Sequence, residues 1–219
     1  MAWFGIPTYK KQAPPAKMAV TFDNDVLSWD SDRSSRGFPL KLFEDLPSLR
    51  DRGIFLCGGA ALALYLNHVY KSINDYDFFV QDSKAADFMR QYLEAKFGWI
   101  LHMQTENAWT FKGNDAYGNP AKVQIIIKKF HQNYQEVFET FDFSICKIGF
   151  DGTDFHFGPN TRQHILEKKL VLEGPVNEDF VKRWYKYSIK GFKMARKEVA
   201  AAIRSNPNIT LATSERDGY

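Results

Sequence analysis

The chain has 219 residues, of which 44% are hydrophobic and 25% charged, and a formal net charge of +3. That balance excludes a disordered chain, and the lack of any apolar run near the length of a bilayer excludes a membrane-spanning helix. Two cysteines, Cys57 and Cys146, cannot build a disulfide framework or a four-thiolate zinc site, and no secretory pattern opens the sequence, so the expected setting is cytoplasmic.

Residues 1–37 read as an extended arm, interrupted by Pro7, Pro14 and Pro15 and carrying Trp3, Phe4 and Tyr9, which would dock on the body or on a partner protein. The patterned domain spans 38–204, and 205–219 reads as a flexible tail. Within the domain, 39–51 is a short helical segment and 53–57 a buried strand; after a Gly58-Gly59 turn, 60–70 is helical. Residues 75–80 form a second strand and 84–97 a helix. Strands follow at 99–103, 108–112 and 122–129, the last two joined through a hairpin at 113–120. A short helix at 134–139, strands at 143–150 and 154–157, a short helix at 161–168 and a long helix at 178–204 complete the chain. The order predicts an α+β fold, a mixed and mostly antiparallel sheet with helices to one side, and argues against a doubly wound dinucleotide fold.

The chemistry is concentrated between Ile54 and Val80. Gly58 and Gly59 fall where a strand turns into a helix, a place where missing side chains and free N–H groups admit phosphate. Asp75 and Asp77 are two apart on a strand, so both carboxylates face one side. Hard oxygen ligands in that arrangement suit Mg²⁺ or Mn²⁺ carrying the phosphates of a nucleoside triphosphate. Either motif alone is commonplace: most Gly-Gly pairs are turns and most paired acids on strands are solvated. Ile73, Tyr76, Phe78, Phe79 and Val80 around the acids set this strand apart from a solvated edge.

Gly-Gly followed by Asp-Tyr-Asp resembles the signature of the polymerase-β-like nucleotidyltransferase superfamily. Residues 139–152 (ETFDFSICKIGFDG) are similar to a segment of the head domain of CCA-adding enzymes and bacterial poly(A) polymerases, and 165–194 echo the same enzymes. The chain also resembles nucleotidyltransferase-like proteins of phages and large viruses. The resemblance implies metal-dependent transfer of a nucleoside monophosphate from an NTP to a hydroxyl of an RNA 3′ end, a small molecule or a protein. Asp75 and Asp77 would ligate the metal, and the backbone of Gly58 and Gly59 would hold phosphates. Ser72 would contact a phosphate or shape the turn. Two departures bear on activity. Gln124 falls where active members carry a third carboxylate, leaving Asp142 as the alternative acid, and Phe141 replaces an arginine that precedes the aspartate in the CCA-type segment. The alternative implied is an inactive nucleotide-binding or structural protein with the same fold, placed in the host cytoplasm or a virion if viral.

Lys182, Lys186, Lys190, Lys193 and Lys197 recur at helical spacing, which places them on one basic face of the expected long C-terminal helix, with Lys186 and Lys190 as candidate contacts for triphosphate or an RNA backbone. The other reading of that face is a solvated one. The five histidines show no metal-ligand spacing and are read as structural.

Overall fold

A computed structural model describes residues 41–66, 73, 75–116, 118–206 and 209, with the backbone of 20–21 and 24–28. The strands are β1 (Val20–Thr21), β2 (Asn24–Ser28), β3 (Ile54–Cys57), β4 (Asp75–Val80), β5 (Ile100–Gln104), β6 (Ala108–Asn114), β7 (Pro120–Ile126), β8 (Ile148–Phe150) and β9 (Asp154–Phe157). The helices are α1 (Leu46–Arg50), α2 (Gly59–Tyr65), α3 (Ser83–Phe97), α4 (Tyr134–Phe138), α5 (Thr161–Leu166), α6 (Phe180–Ser188) and α7 (Arg196–Ser205). The strands form one mixed sheet in the order β1-β2-β9-β8-β3-β4-β7-β6-β5. Its pairs are antiparallel except β4 with β7.

Alternation along β3 and β4 sends side chains to two different layers. Leu56, Tyr76, Phe78 and Val80 enter the main core with Ala60, Ala61 and Leu64 of α2 and Ala86, Met89 and Leu93 of α3. Phe55, Cys57 and Phe79 point the other way and are covered by Tyr134, Val137 and Phe138 of α4. Helices therefore flank both faces of the sheet, where the sequence pattern placed them on one. Local signals fix the ends: Asp82 caps α3 by accepting from the Ala85 N–H (2.8 Å), Gly98 ends it at φ +64°, and Asn133 caps α4 through the Glu136 N–H (3.0 Å).

The expected long C-terminal helix is two helices. α6 stops at Ser188, and the chain turns through Gly191 at φ +90° before α7 begins at Arg196. The connecting segment is tied down, since Leu170 N–H donates to the Lys193 carbonyl and Lys193 N–H to the Lys168 carbonyl (2.8 Å each). Phe192, almost wholly buried, anchors it. The expected strand at 143–150 is shorter, because Ser144–Cys146 form a 3-10 turn and only Ile148–Phe150 pair in the sheet. Part of the expected N-terminal arm lies in the sheet: β2 pairs with β9 and β1 with β2. Trp3, Phe4 and Tyr9 lie outside the described residues, as does nearly all of the tail. No helix among the described residues is long and apolar enough to cross a membrane.

Candidate functional site

The register of five strands builds the site. Paired residues on neighbouring strands share a face, so three rows of side chains cross the sheet. The uppermost is apolar: Phe55, Phe79, Ile126 and Ala108. The middle row runs Cys57, Asp77, Gln124, Thr110 and Met103; the lowest runs Asp75, Lys122, Lys112 and Ile100. α4 covers the apolar row, leaving the two acids at the edge of that cover. Phe141 extends the cover, its ring 5.7 Å from that of Phe79.

Asp75 and Asp77 thus share a face, as their spacing requires. Their neighbours on β7 are unlike those of an acid-rich metal centre. Lys122 stands beside Asp75 and its Nζ lies 2.7 Å from Asp75 Oδ1. Both side chains are just over a third exposed (36% and 37%), so the ion pair contributes at most about 1 kcal/mol to folding. Gln124 stands beside Asp77, and its Nε2 donates to Thr110 Oγ1 at 3.2 Å. Burial, with the charge of Asp75 added, pushes the Asp77 carboxyl up to about 6, against opposing pulls from Lys186, Lys122 and Arg183. The two α6 cations therefore lie within electrostatic reach of Asp77.

Asp142 is engaged elsewhere. Arg183 Nε donates to its Oδ2 at 2.7 Å and Arg183 Nη2 to its Oδ1 at 2.8 Å, a two-pronged pair. Its Oδ1 also accepts from the Phe143 N–H, and its carbonyl accepts from Glu173 and Gly174 N–H. Asp142 is buried, and among the described residues no three His, Cys, Asp or Glu side chains come together as a metal-holding group. The nucleotidyltransferase fold implies a divalent cation held by three acids. The donor set here does not fit that centre, because an amide and an ammonium stand on β7 and Asp142 serves Arg183.

The Gly-Gly turn also differs from an open phosphate cradle. Gly58 has φ +79°, a conformation that glycine alone adopts readily. Its N–H donates to the Ile148 carbonyl at 2.8 Å, so it is already used. A Cβ on Gly58 would lie 3.2 Å from the Phe141 ring, so that ring occupies the space in front of the turn. Gly59 opens α2. Ser72 lies outside the described residues. Lys186 is exposed on α6, and Lys190 follows it in the turn, where desolvation and the charge of Lys186 push its ammonium down. Cys57 and Cys146 are buried; desolvation pushes the Cys146 thiol up to about 11, and its Sγ lies 3.0 Å from Tyr187 Oη.

Sequence reasoning missed the pairing of Lys122 with Asp75 and of Arg183 with Asp142. The signal for Lys122 was present: Lys-Val-Gln at 122–124 has the two-residue spacing of Asp-Tyr-Asp at 75–77, so parallel pairing sets one over the other. Nothing local marks Arg183, whose partner is 41 residues away.

Mixed sheet, glycine turn and acid-bearing strand define a nucleotidyltransferase-like α+β protein, and solved structures of that fold superpose on it. A Thermotoga maritima CCA-adding enzyme complexed with tRNA aligns with 82% of this chain and 46% of its own at a TM-score of 0.53 and 15% identity. A tRNA nucleotidyltransferase complexed with a primer tRNA and an incoming ATP analogue aligns with 74% of this chain and 50% of its own at a TM-score of 0.55 and 16% identity. Within that class, the chain belongs to the Gabija anti-defense 2 family, whose description "Gabija anti-defense 2 family protein" covers residues 30–168. A Bacillus phage SPbetaL7 protein, "Gabija anti-defense 2", is 26% identical over 179 residues, or 78% of this chain and 42% of the phage protein. The chain thus spans half or less of the length of these relatives.

Proposed function

We propose that this chain counters Gabija defence in an infected host cell as a nucleotide-binding protein that holds a nucleoside triphosphate at the Asp75/Asp77 face without transferring it. One observation carries the choice of binding over transfer: the position beside Asp77 is Gln124. An amide is a weak ligand for a hard cation and cannot act as a base. The alternative acid, Asp142, is bound to Arg183. In this reading Lys186 and Lys190 meet the phosphates, and the half-buried Phe141 ring at the edge of the apolar cover receives the rest of the nucleotide. The family match supports the anti-defence role; a protein of the host defence is the partner it implies.

A second reading is transfer of a nucleoside monophosphate to an RNA or protein hydroxyl with Mg²⁺ or Mn²⁺ at Asp75 and Asp77. It is favoured by the two carboxylates sharing one face, with no side chain hydrogen-bonded to that of Asp77 among the described residues. The test is twofold. Melting of the chain with ATP, GTP, CTP or UTP should rise with nucleotide concentration, as binding to the folded state requires. Incubation with α-phosphate-labelled NTPs, Mg²⁺ or Mn²⁺, and host RNA and protein should leave no label on either; labelled product would establish the second reading. Plaque counts on a Gabija-bearing lawn expressing the chain should rise, and they should fall back with Lys186→Glu. No rise in melting with any nucleotide would defeat both readings.

A further inference from the structure

Three features compete for a function beyond that reading: the exposed edge strand β5 with Ile100 and Met103, the buried histidine His131, and the ammonium of Lys122 on Asp75. Nothing in the structure shows what covers β5, and His131 is enclosed. The Lys122 pair carries an argument.

We infer that Lys122 is a built-in counter-cation that makes the acid pair a metal-free anion site. The inference rests on the nucleotide-binding reading and deepens it. β4 and β7 are the parallel pair of the sheet, and their register places Lys122 beside Asp75 and Gln124 beside Asp77. The ammonium is 2.7 Å from the carboxylate of Asp75, within direct ion-pair range. Lys112 on β6 is the next residue in the same row and adds a further positive charge. From α6, Lys186 and Arg183 act on Asp77, and Arg183 is matched by Asp142. Summed around the face, Asp75 and Asp77 are balanced by Lys122 and Lys186 before any ion arrives. A divalent cation would enter a neutral environment with an ammonium beside one of its two ligands, and Coulomb repulsion between that ammonium and a doubly charged ion opposes its binding. A triphosphate meets the opposite balance: once it approaches, the lysines have an anion to hold, and the Asp75 carboxylate is already paired with Lys122. The ligand class is therefore a phosphate anion taken without magnesium.

The experiment is a Mn²⁺ titration of the whole chain followed by the free-ion paramagnetic resonance signal, with no nucleotide present. The parent should leave the signal of free Mn²⁺ unchanged. Lys122→Met, which keeps the length of the side chain and removes its charge, should bind Mn²⁺ about tenfold or more tightly than the parent. Lys122→Arg should behave as the parent, and Lys122→Met combined with Asp77→Asn should lose the gain. If Lys122→Met melts early, Lys122→Gln takes its place. In parallel, ATP should raise the melting temperature of the parent equally in EDTA and in Mg²⁺. Tight Mn²⁺ binding by the parent, or no gain in a folded Lys122→Met protein, would overturn the inference. Either result leaves the nucleotide reading standing, since that reading fails only if ATP does not bind under any condition.

Discussion

Arg183 on α6 grips Asp142 through two parallel hydrogen bonds of 2.7 and 2.8 Å, so the acid that the sequence offered in place of a third carboxylate is spent on fastening a helix. The pair is buried on the Asp142 side and a third exposed on the arginine side. Asp142→Asn removes the charge and leaves the guanidinium half-satisfied, which should cost about 1–3 kcal/mol in denaturant unfolding. Through α6 it should also weaken ATP binding by shifting Lys186, and Arg183→Lys, which lacks the fork, should do the same. A catalytic acid would behave differently: Asp142→Asn would abolish labelling with α-phosphate NTPs while unfolding at the parental denaturant concentration.

Asp77 gives a prediction whose sign depends on pH. Its carboxyl is pushed up to about 6, so the folded chain holds that proton more tightly than the unfolded chain does. Between about pH 4 and 6 the folded state therefore gives up stability as pH rises, and above that range the full cost of a buried carboxylate is present. Asp77→Asn should be more stable than the parent by about 2 kcal/mol at pH 7.5 and roughly equal to it at pH 4. Urea melts of both proteins at the two pH values check this. An equal difference at both would assign the effect to packing.

Much of the fold was readable because its signals are local. The spacing of Asp75 and Asp77 and the passage from a buried strand through Gly58-Gly59 into a helix each depend on neighbours in the chain, and the structure keeps them. What escaped reading depends on partners far away. The basic run at 182–197 has helical spacing throughout, yet Phe192 is pulled into the core and Gly191 supplies the turn that lets it go there. The Ser144–Cys146 turn is held by Val171, whose carbonyl takes the Ser144 N–H, and by Thr161, whose hydroxyl donates to the Ser144 carbonyl. At the site, the two acids were legible and the β7 side chains facing them only half so. The family resemblance marked Gln124 as the residue of interest, while the ammonium two positions earlier acquires meaning only from the parallel register.

Gly58 should tolerate no side chain. Its φ of +79° is unfavourable for any other residue, and its N–H is fixed to Ile148. Gly58→Ala should cost about 1–2 kcal/mol from the backbone alone. The new methyl also meets the Phe141 ring at 3.2 Å. Thermal melts of Gly58→Ala, Phe141→Leu and the double variant separate the two contributions. Phe141→Leu should relieve the contact and leave most of the loss in place. Full rescue in the double variant would show that crowding, and not the backbone, reserves this position for glycine.

His131 is almost wholly buried, and neither ring nitrogen has a hydrogen-bond partner among the described residues. Its ring packs edge-on against Phe79 at 5.7 Å, beneath the cover of the site. Burial pushes its pKa down, with the charge of Lys129 acting the same way and Glu136 opposing. The unfolded chain thus takes the proton more readily, so the stability tied to a neutral His131 is present above the ordinary histidine pKa and is lost as pH falls below it. His131→Leu fills a similar space without a proton to accept. It should match the parent to within about 1 kcal/mol at pH 8, because an apolar replacement strands no partner. At pH 5 it should be the more stable of the two. Unfolding at both pH values decides the matter: a parent no less stable than the variant at pH 5 would mean that the imidazolium N–H groups find acceptors, and the buried ring would then be a hydrogen-bond donor and not a packing residue.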